Sequence, residues 1–361
     1  MPNKNLTQAK KAKNDEFYTQ LSDIEKELYH YRDFFRGKVV FCNCDDPEYS
    51  NFWKYFQMNF FFLGLKKLIS THYEPGKQSY KMEIVSADLP SGQLGIPDYV
   101  KTPLEGDGDF RSDECIEILK EADVVVTNPP FSLFREYVSQ LMEYEKKFII
   151  IGNINAITYK EFFSLLRNNK VWVGTGFNLS MIFRSPYKNE LESNRKFVQA
   201  KGYDPDYYIK TPAVCWYTNV DIQKRHTPMD LYMHYYGNED HYPKYDNYDA
   251  INVDKTCEIP EDYDGVMGVP ITFLDKYCPE QFEIVALGNS RDNFAPTKDY
   301  IEPVKHLKNG SECSGEAINC VLAIEVDTPP ANTVYYTSKN SRYLVPPYAR
   351  VLIRRRKSNE K

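Results

Sequence analysis

The chain has 361 residues, which is too long for one ordinary domain and predicts two of them. Hydrophobic residues make up 42% of the sequence, enough to fill a core, and the formal net charge of −6 excludes a surface that attracts polyanions everywhere. Basic residues are instead concentrated in an N-terminal arm (1–14) and in residues 350–361. Both stretches can be solvated termini or local contacts to a polyanion, and the sequence leaves these two interpretations open.

The eight cysteines are scattered along the chain, and none has histidines at the spacing of a zinc site. This pattern excludes a disulfide scaffold and predicts reduced thiols and no bound metal. The sequence has no apolar run long enough to cross a bilayer and no pattern typical of a secretory signal. We therefore expect a cytoplasmic protein without a membrane contact, and no segment indicates an obligate protein partner.

Strand-like and helix-like segments alternate along the first half of the chain. A helix is predicted over 22–35, and further helices are predicted to begin at the capping residues Asp46, Ser112 and Ser132. Apolar runs rich in β-branched residues predict strands at 39–42, 68–71, 124–127, 148–151 and 171–173. Alternation at this spacing is typical of a doubly wound parallel sheet, so we predict a Rossmann-like α/β fold. Residues 75–105 contain many prolines and glycines, which predict an irregular insertion outside the core.

The alternation is lost after about residue 175, apart from a strand-like segment at 213–219 that fits the same sheet. The rest of the chain is crowded with tyrosine, aspartate, asparagine and proline, and it carries isolated strand-like pieces at 265–274, 282–287 and 351–353. We therefore divide the chain into an α/β domain over 1–220 and an irregular α+β region over 221–361. No internal repeat and no familiar DNA-binding motif is recognisable in the sequence.

The tetrapeptide Asn128-Pro129-Pro130-Phe131 follows the predicted strand 124–127 directly. Two prolines in series cannot donate to a sheet ladder and keep the backbone extended, so Asn128 is fixed at the carboxyl end of that strand. The exocyclic amine of a planar base is a weak nucleophile because its lone pair is delocalised into the ring. The Asn128 side-chain carbonyl and the Pro129 main-chain carbonyl could accept its two N–H bonds, and Phe131 could stack on the ring. A proline turn with an incidental asparagine is the alternative.

Four stretches resemble the amino-group DNA methyltransferases, and specifically the EcoRI-type adenine-specific DNA methyltransferase family: DEFYTQ at 15–20, VVFCNCDDPEYSNFWKYF at 39–56, GDGDFRS at 106–112 and TNPPFSLFREY at 127–137. YPKYDNYDAINV at 242–253 and GVMGVPITFL at 265–274 are also similar to this family. The resemblance covers most of residues 5–285. It implies a site-specific adenine N6-methyltransferase that takes its methyl group from S-adenosylmethionine and acts on a flipped-out adenine of double-stranded DNA, in a restriction–modification or orphan modification role.

The resemblance assigns a first group of cofactor contacts around the first predicted strand. Phe17-Tyr18-Thr19 matches the family's extra cofactor motif, in which Thr19 would donate to the methionine carboxylate and the two aromatic residues would wall the pocket. A hydrophobic staple before the following helix is the alternative interpretation of this motif. Asn43 and Asp45 stand where related enzymes have a glycine-rich loop, so they are the expected contacts to the methionine portion.

A second group of cofactor contacts follows later strands. Glu74 comes after the strand at 68–71, where an acid would accept the two ribose hydroxyl groups, although this segment could equally be a loop. The resemblance implies that Asp109 accepts from the adenine amine of the cofactor and that Phe110 stacks on its ring, with Asp107 as a nearby competitor. Asn128 lies at the same edge and is assigned both to catalysis and to the cofactor pocket.

The resemblance implies a catalytic methyltransferase domain over 1–220 and a DNA target-recognition region over 221–361. The candidate DNA contacts in the second part are Lys224, Arg225, Arg354, Arg355 and Arg356, as phosphate or as base contacts. Two alternatives remain at this stage. One is a methyltransferase for RNA bases or protein glutamine side chains, and the other is a DNA-binding protein that uses the fold without catalysis.

Overall fold

The computed structural model describes residues 18–44, 46–88, 95–177, 179–185, 192–289 and 294–356. Phe17 and Asp45, both assigned to the cofactor, and the basic arm 1–14 therefore lie outside the described residues. Among the residues that are described, no helix is long and apolar enough to cross a membrane.

The chain divides into two compact units. The first contains the chain up to Phe162 together with Val171–Ile222, and the second contains Phe163–Lys170 and the chain from Gln223 onward. The described α-helices of the chain are α1 (Leu21–Leu28), α2 (Asn51–Met58), α3 (Phe60–Leu63), α4 (Asp113–Glu121), α5 (Phe134–Glu143), α6 (Lys160–Arg167) and α7 (Glu192–Ala200). A 3-10 helix over Tyr29–Phe35 continues α1, so the predicted helix 22–35 is present in two forms.

A mixed sheet forms the framework of the first unit. Its described strands are β1 (Tyr18–Thr19), β2 (Val39–Cys42), β3 (Lys67–Thr71), β4 (Tyr80–Val85), β5 (Val100–Pro103), β6 (Val124–Thr127), β7 (Lys147–Asn153), β8 (Trp172–Val173), β9 (Leu179–Arg184) and β10 (Tyr208–Thr218). Their spatial order is β1-β9-β10-β7-β6-β2-β3-β4-β5, with β8 also paired to β10. Strands β7, β6, β2 and β3 are parallel neighbours, whereas the outer strands pair antiparallel. The α/β class is therefore confirmed, but a wholly parallel sheet is wrong.

The centre of this sheet explains why the tetrapeptide is held rigidly. Strand β6 is buried along its whole length, between β2 on one side and β7 on the other. Three valines and a threonine suit such a strand because their branched side chains pack well on a pleated surface. The predicted strand 124–127 is confirmed residue for residue, and it places Asn128 directly at the carboxyl end of the sheet.

Only one of the three predicted helix starts is confirmed. Ser112 caps α4 through its side chain, as expected. Asp46 does not cap α2, because a turn follows it and the side chain of Ser50 accepts from two backbone N–H groups of that helix instead. Ser132 does not cap α5 either: a turn closes after the two prolines, and the helix begins after Leu133.

The prediction of an irregular insertion over 75–105 is wrong for two of its segments. Strand β4 pairs antiparallel with β3, and β5 pairs antiparallel with β4. Met82 and Ile84 are buried and alternate with the more exposed Lys81 and Glu83, which is the period-two pattern of a half-buried strand. Of the described prolines and glycines that suggested an insertion, Pro75, Gly76, Gly95 and Pro97 lie in loops, whereas Pro103 is the last residue of β5.

The second unit contains two smaller sheets among its described residues. One has the order β11-β12-β19-β13, from β11 (Ile251–Asn252), β12 (Met267–Pro270), β13 (Phe282–Leu287) and β19 (Arg350–Arg355). The other has the order β15-β14-β17-β18-β16, from β14 (Val304–His306), β15 (Glu312–Ser314), β16 (Ile324–Val326), β17 (Tyr335–Ser338) and β18 (Ser341–Val345). Each sheet packs on its own group of buried apolar side chains. Short 3-10 helices and long loops connect the strands.

Candidate active site

Four parallel strands end at one edge of the main sheet, and a pocket lies there. Because β2, β3 and β6 run in the same direction, the residues that follow them meet at that edge. The pocket is lined by Asn43, Cys44, Tyr73, Gly108, Asp109, Phe110, Arg111, Pro130 and Leu133. The structure therefore brings together four of the residues assigned from the sequence to the cofactor or to catalysis: Asn43, Asp109, Phe110 and Pro130.

The tetrapeptide contributes Pro130 to the lining of this pocket. Asn128 is buried, with 6% of its surface exposed, and Pro129 is buried as well. Phe131 is only partly buried and packs against the main core with part of its ring. The preceding strand is tied to the neighbouring loop, because Thr127 Oγ1 accepts a hydrogen bond from the Cys44 backbone N–H at 3.2 Å. A buried amide and a partly buried ring thus both belong to the segment that follows β6 at the sheet edge.

A buried tyrosine supports the pocket from behind. The Tyr137 hydroxyl donates to Asn43 Oδ1, and its ring packs edge-on against Phe110 at a centroid distance of 5.1 Å. Burial raises the pKa of Tyr137 well above its usual value, so the hydroxyl remains a donor. One helical turn further on, Gln140 Nε2 donates to the Phe110 main-chain carbonyl at 3.1 Å. Helix α5 therefore orients two pocket residues that come from different loops.

The Asp109 carboxylate is held by the arginine two residues away. Asp109 Oδ1 accepts from the backbone N–H and from Nε of Arg111, and Oδ2 accepts from Nη2 at 2.6 Å. These hydrogen bonds from Arg111 lower the pKa of the Asp109 carboxyl below its usual value. The carboxylate is therefore ionised and available as an acceptor throughout the neutral range.

The turn that carries Asp109 requires a glycine. Gly108 has a φ of +80°, and a Cβ atom on it would lie 1.9 Å from the main-chain oxygen of His72. The loop after β3 and the turn at 106–109 are also joined by a backbone hydrogen bond from Glu74 N–H to Asp107 O at 2.8 Å. The pocket wall is thus formed by two backbone segments in direct contact.

Thr19 lies beside the start of helix α2 rather than on the wall of this pocket. Its main-chain oxygen accepts from Asn51 Nδ2 at 2.7 Å, and the residue is fully buried. Its side-chain Oγ1 has no hydrogen-bond partner within the described part of the chain. A buried hydroxyl without a partner costs free energy, so this atom suits a hydroxyl reserved for a ligand. Tyr18 is half-buried beside the ring of Tyr49.

Glu74 follows β3 as expected but does not line the pocket. Its carboxylate forms an ion pair with Lys77 at 2.9 Å and lies 3.8 Å from the His72 imidazole. The neighbouring residue Tyr73 lines the pocket instead and is 42% exposed. Glu74 directly follows the pocket residue Tyr73, so its contact to the ribose hydroxyl groups stays a prediction.

Comparison with known proteins identifies the family of the chain. Residues 5–356 match the family described as adenine-specific methyltransferase EcoRI. The chain is 51% identical over 293 residues to the Type II methyltransferase M.EcoRI of Escherichia coli, which covers 78% of this chain and 89% of that protein. It is 41% identical over 285 residues to the Type II methyltransferase M.MpnI of Mycoplasma pneumoniae, and this match covers 78% of this chain and 84% of that protein. No solved structure matches.

The chain belongs to the EcoRI adenine-specific methyltransferase family. The predicted resemblance and the predicted function, an adenine-specific DNA methyltransferase of the restriction–modification type, are thereby confirmed. Membership in an adenine-specific family leaves the protein-glutamine and the non-catalytic alternatives without support.

In this methyltransferase, the first two candidate DNA contacts of the second unit differ in exposure. Lys224 lies on the surface and pairs with Asp275 at 2.8 Å. Arg225 is buried, with 7% exposed, and its Nη2 donates to Asn169 Oδ1. A buried guanidinium cannot reach a phosphate without leaving its site, so Arg225 is the weaker candidate of the two.

The three C-terminal arginines do not form one continuous patch. Arg354 and Arg355 are neighbours on β19, and successive residues of a strand point to opposite faces of the sheet. Arg354 is exposed and pairs with Glu283 at 3.0 Å. Arg356 follows the strand and donates through Nε to two main-chain carbonyl groups, at 2.7 and 3.2 Å. A contact to DNA by these residues stays a prediction.

Sequence analysis missed several residues of the methyltransferase pocket. The motif at 127–137 includes Tyr137 without giving it a role, although a buried tyrosine needs a partner for its hydroxyl, and that requirement is the available signal. Arg111 follows the assigned Asp109 and Phe110 directly, so its charge was visible in the sequence. Tyr73 and Cys44 carried no such signal, because their approach depends on the contact between loops.

A Gly108→Ala substitution tests whether the close backbone contact shapes the pocket. The left-handed φ alone costs an alanine roughly 1–2 kcal/mol, and at Gly108 a clash with the His72 main chain is added. Gly76→Ala is the matched control, because Gly76 has a φ of +71° and open space around its Cβ position. We expect Gly108→Ala to lower the free energy of unfolding more than the control does, and to weaken S-adenosylmethionine binding at least tenfold. Equal effects of the two changes, measured by urea unfolding and calorimetry, would contradict this account.

Proposed function

We propose that this methyltransferase transfers a methyl group from S-adenosylmethionine to N6 of an adenine that is flipped out of duplex DNA, at a specific site, as the modification enzyme of a restriction–modification system or as an orphan enzyme. The observation that carries the proposal is a pocket lined by Asn43, Asp109, Phe110 and Pro130, because Pro130 belongs to the same tetrapeptide as the buried Asn128 and the partly buried Phe131. A Rossmann-like methyltransferase sheet over 1–220 and a target-recognition region over 221–361 are part of this proposal.

The pocket residues fit S-adenosylmethionine. When bound, this cofactor supplies a methyl group on a positively charged sulfur. Asp109 would accept from its adenine amine, and Phe110 would stack on its ring. Asn43 lies near the expected methionine portion, and Thr19 Oγ1, unpartnered within the described residues, would donate to the methionine carboxylate. Phe17, Tyr18, Asp45 and Glu74 complete the proposed set.

Asn128 and Pro129 would prepare the nucleophile. Two carbonyl acceptors aimed at the two N–H bonds of the target amine favour a more tetrahedral nitrogen with a more available lone pair. Strand β6 is buried on both sides, and the two prolines remove backbone freedom, so these acceptors are placed before the base arrives. The preorganisation comes from the chain itself and costs little at the moment of reaction.

Phe131 would hold the flipped base. An adenine that leaves the duplex loses its stacked neighbours and needs a new face to pack against. The Phe131 ring is anchored on the core by one part while the residue remains partly exposed. Such a ring is fixed in orientation and still accessible, which is the combination that stacking requires.

The second unit would provide the contacts to DNA outside the target base. Lys224, Arg354, Arg355 and Arg356 are its candidate phosphate contacts, and the carboxylate partners of Lys224 and Arg354 are partly exposed side chains. Surface ion pairs of this kind contribute little to stability, so a phosphate group can replace the carboxylate at small cost. Arg225 would need a rearrangement to take part.

An Asn128→Ala substitution tests the preparation of the nucleophile. We expect binding of S-adenosylmethionine and of duplex DNA to be retained, while single-turnover methylation falls by about 10²-fold or more, as for the loss of one preorganised polar contact. Rapid-quench measurement of methyl transfer to duplex DNA gives the rate. A near-normal rate in the folded variant would contradict this role of Asn128, and other residues would then have to accept from the target amine.

A Phe131→Ala substitution tests the stacking role. Stacking of a base on an aromatic ring contributes about 1–3 kcal/mol, so transfer should fall by about 5- to 150-fold, and Phe131→Tyr or Phe131→Trp should restore most of it. Duplex affinity should change little, because phosphate contacts carry it. Placing an abasic gap opposite the target adenine lowers the flipping cost and should partly rescue Phe131→Ala. If the alanine variant transfers the methyl group as fast as wild type on the fully paired duplex, Phe131 only packs in the core and does not stack on the base.

Neutralising Arg354 and Arg355 tests the phosphate contacts. Changing both to glutamine should weaken all DNA sequences alike and reduce the slope of log K against log salt by up to about 0.9 per lost contact. Arg342→Gln is the control, since Arg342 is exposed and paired with Asp327 on the other small sheet. Affinity titrations over a range of salt concentrations decide the matter. A loss confined to one DNA sequence, with an unchanged slope, would show base contacts instead.

A further inference from the structure

Arg111 lines the pocket but has no part in the functions described so far. Its side chain is 47% exposed, so core packing does not explain its position. It follows Asp109 and Phe110 directly, and it contacts both of these residues. Its role depends on what these contacts do for a bound cofactor, so the inference below rests on the proposed cofactor role of Asp109 and Phe110.

The guanidinium of Arg111 grips the Asp109 carboxylate at both oxygens. Nε donates to Oδ1 at 2.8 Å, and Nη2 donates to Oδ2 at 2.6 Å. The backbone N–H of Arg111 donates to Oδ1 as well, at 2.9 Å. The remaining terminal nitrogen, Nη1, lies 3.4 Å from a Glu136 oxygen on helix α5. The fork therefore connects the turn at 106–111 with the helix that follows the tetrapeptide.

The Arg111 side chain also contacts the ring of Phe110, which would stack on the cofactor. The guanidinium carbon lies 5.2 Å from the centroid of the Phe110 ring, within the range of a cation–π contact. The ring also has an edge-on contact with Tyr137. Phe110 is thus contacted both by a charged group and by a buried aromatic residue.

The hydrogen bonds leave the carboxylate with a defined free position. An ionised carboxylate has about four acceptor sites, two on each oxygen. Among the described residues, Arg111 fills two sites on Oδ1 and one on Oδ2, so one site on Oδ2 remains for a ligand. A carboxylate that is already oriented loses less freedom when a ligand binds.

We infer that Arg111 is the positioning residue of the cofactor site, which fixes the Asp109 carboxylate and the Phe110 ring for the adenine of S-adenosylmethionine. A simple surface ion pair is the competing account. It would add little to stability and would leave cofactor affinity unchanged when removed. The two accounts therefore differ in a binding measurement that needs no catalysis.

The test is the dissociation constant of S-adenosylmethionine, measured by calorimetry on the full chain. Arg111→Met keeps most of the side-chain length without its donors and should raise the constant about 3- to 10-fold, a loss moderated by the partial exposure of the pair. Arg135→Met is the matched control, because that guanidinium lies over the Tyr159 ring at 4.9 Å, and it should stay within about twofold. Arg111→Lys should recover only part of the loss, because one ammonium group does not span both oxygens as the fork does.

A double-mutant cycle separates this inference from the proposed site. Asp109→Ala should raise the dissociation constant about 5- to 150-fold, and adding Arg111→Met to it should change little more. If Asp109→Ala weakens binding but Arg111→Met does not, or if the two losses multiply, the positioning role is overturned and the cofactor site stands. Full recovery by Arg111→Lys would also overturn it, since charge alone would then suffice. Unchanged binding in Asp109→Ala would overturn the proposed site itself.

Discussion

The hydrogen bond from the Tyr137 hydroxyl to Asn43 is the interaction on which the pocket depends most. It joins helix α5, which follows the tetrapeptide, to the loop after β2, and both groups are buried. A buried pair of this kind adds only about 1 kcal/mol net, but losing one partner costs about 1–3 kcal/mol because the other is left without a hydrogen bond. The bond is therefore more important for defining the geometry than for stabilising the fold.

A small number of individual contacts likewise joins three loops into one pocket wall. Thr127 Oγ1 holds the loop after β2 by accepting from a backbone N–H of that loop. Gly108 allows its own backbone to contact that of the loop after β3, and Gln140 donates to the Phe110 carbonyl. Each contact is short-range and directional, whereas the ion pairs around the pocket are partly exposed and screened by solvent. Neutral hydrogen bonds and steric fit thus decide the shape, and the short, two-pronged contact of Arg111 with Asp109 adds orientation.

Local pattern predicted what local physics determines, and it failed where distant segments decide. The valine run at 124–127 is a strand in the structure because branched side chains in a row favour a buried strand whatever surrounds them. The prolines and glycines around 75–105 concealed β4, whose alternation of Met82 and Ile84 with charged residues is short and depends on pairing with β3. The motif indicated Asp109 and Phe110, but not Arg111 as their partner or Tyr73 as a neighbour, because both facts require the folded loops. The roles of these residues remain predictions.

In the proposed mechanism, rigidity and reactivity have the same origin. The tetrapeptide Asn128-Pro129-Pro130-Phe131 contains no group that titrates near neutral pH, so it cannot act by acid–base catalysis. What it can offer is placement: an amide and a carbonyl as acceptors, and a ring as a stacking face. Placement accelerates a reaction only if the groups are already held when the base arrives, because reorganisation would consume the gain. The fully buried strand β6 and the prolines after it supply that restraint, because they hold the polar Asn128 directly at the end of a buried strand.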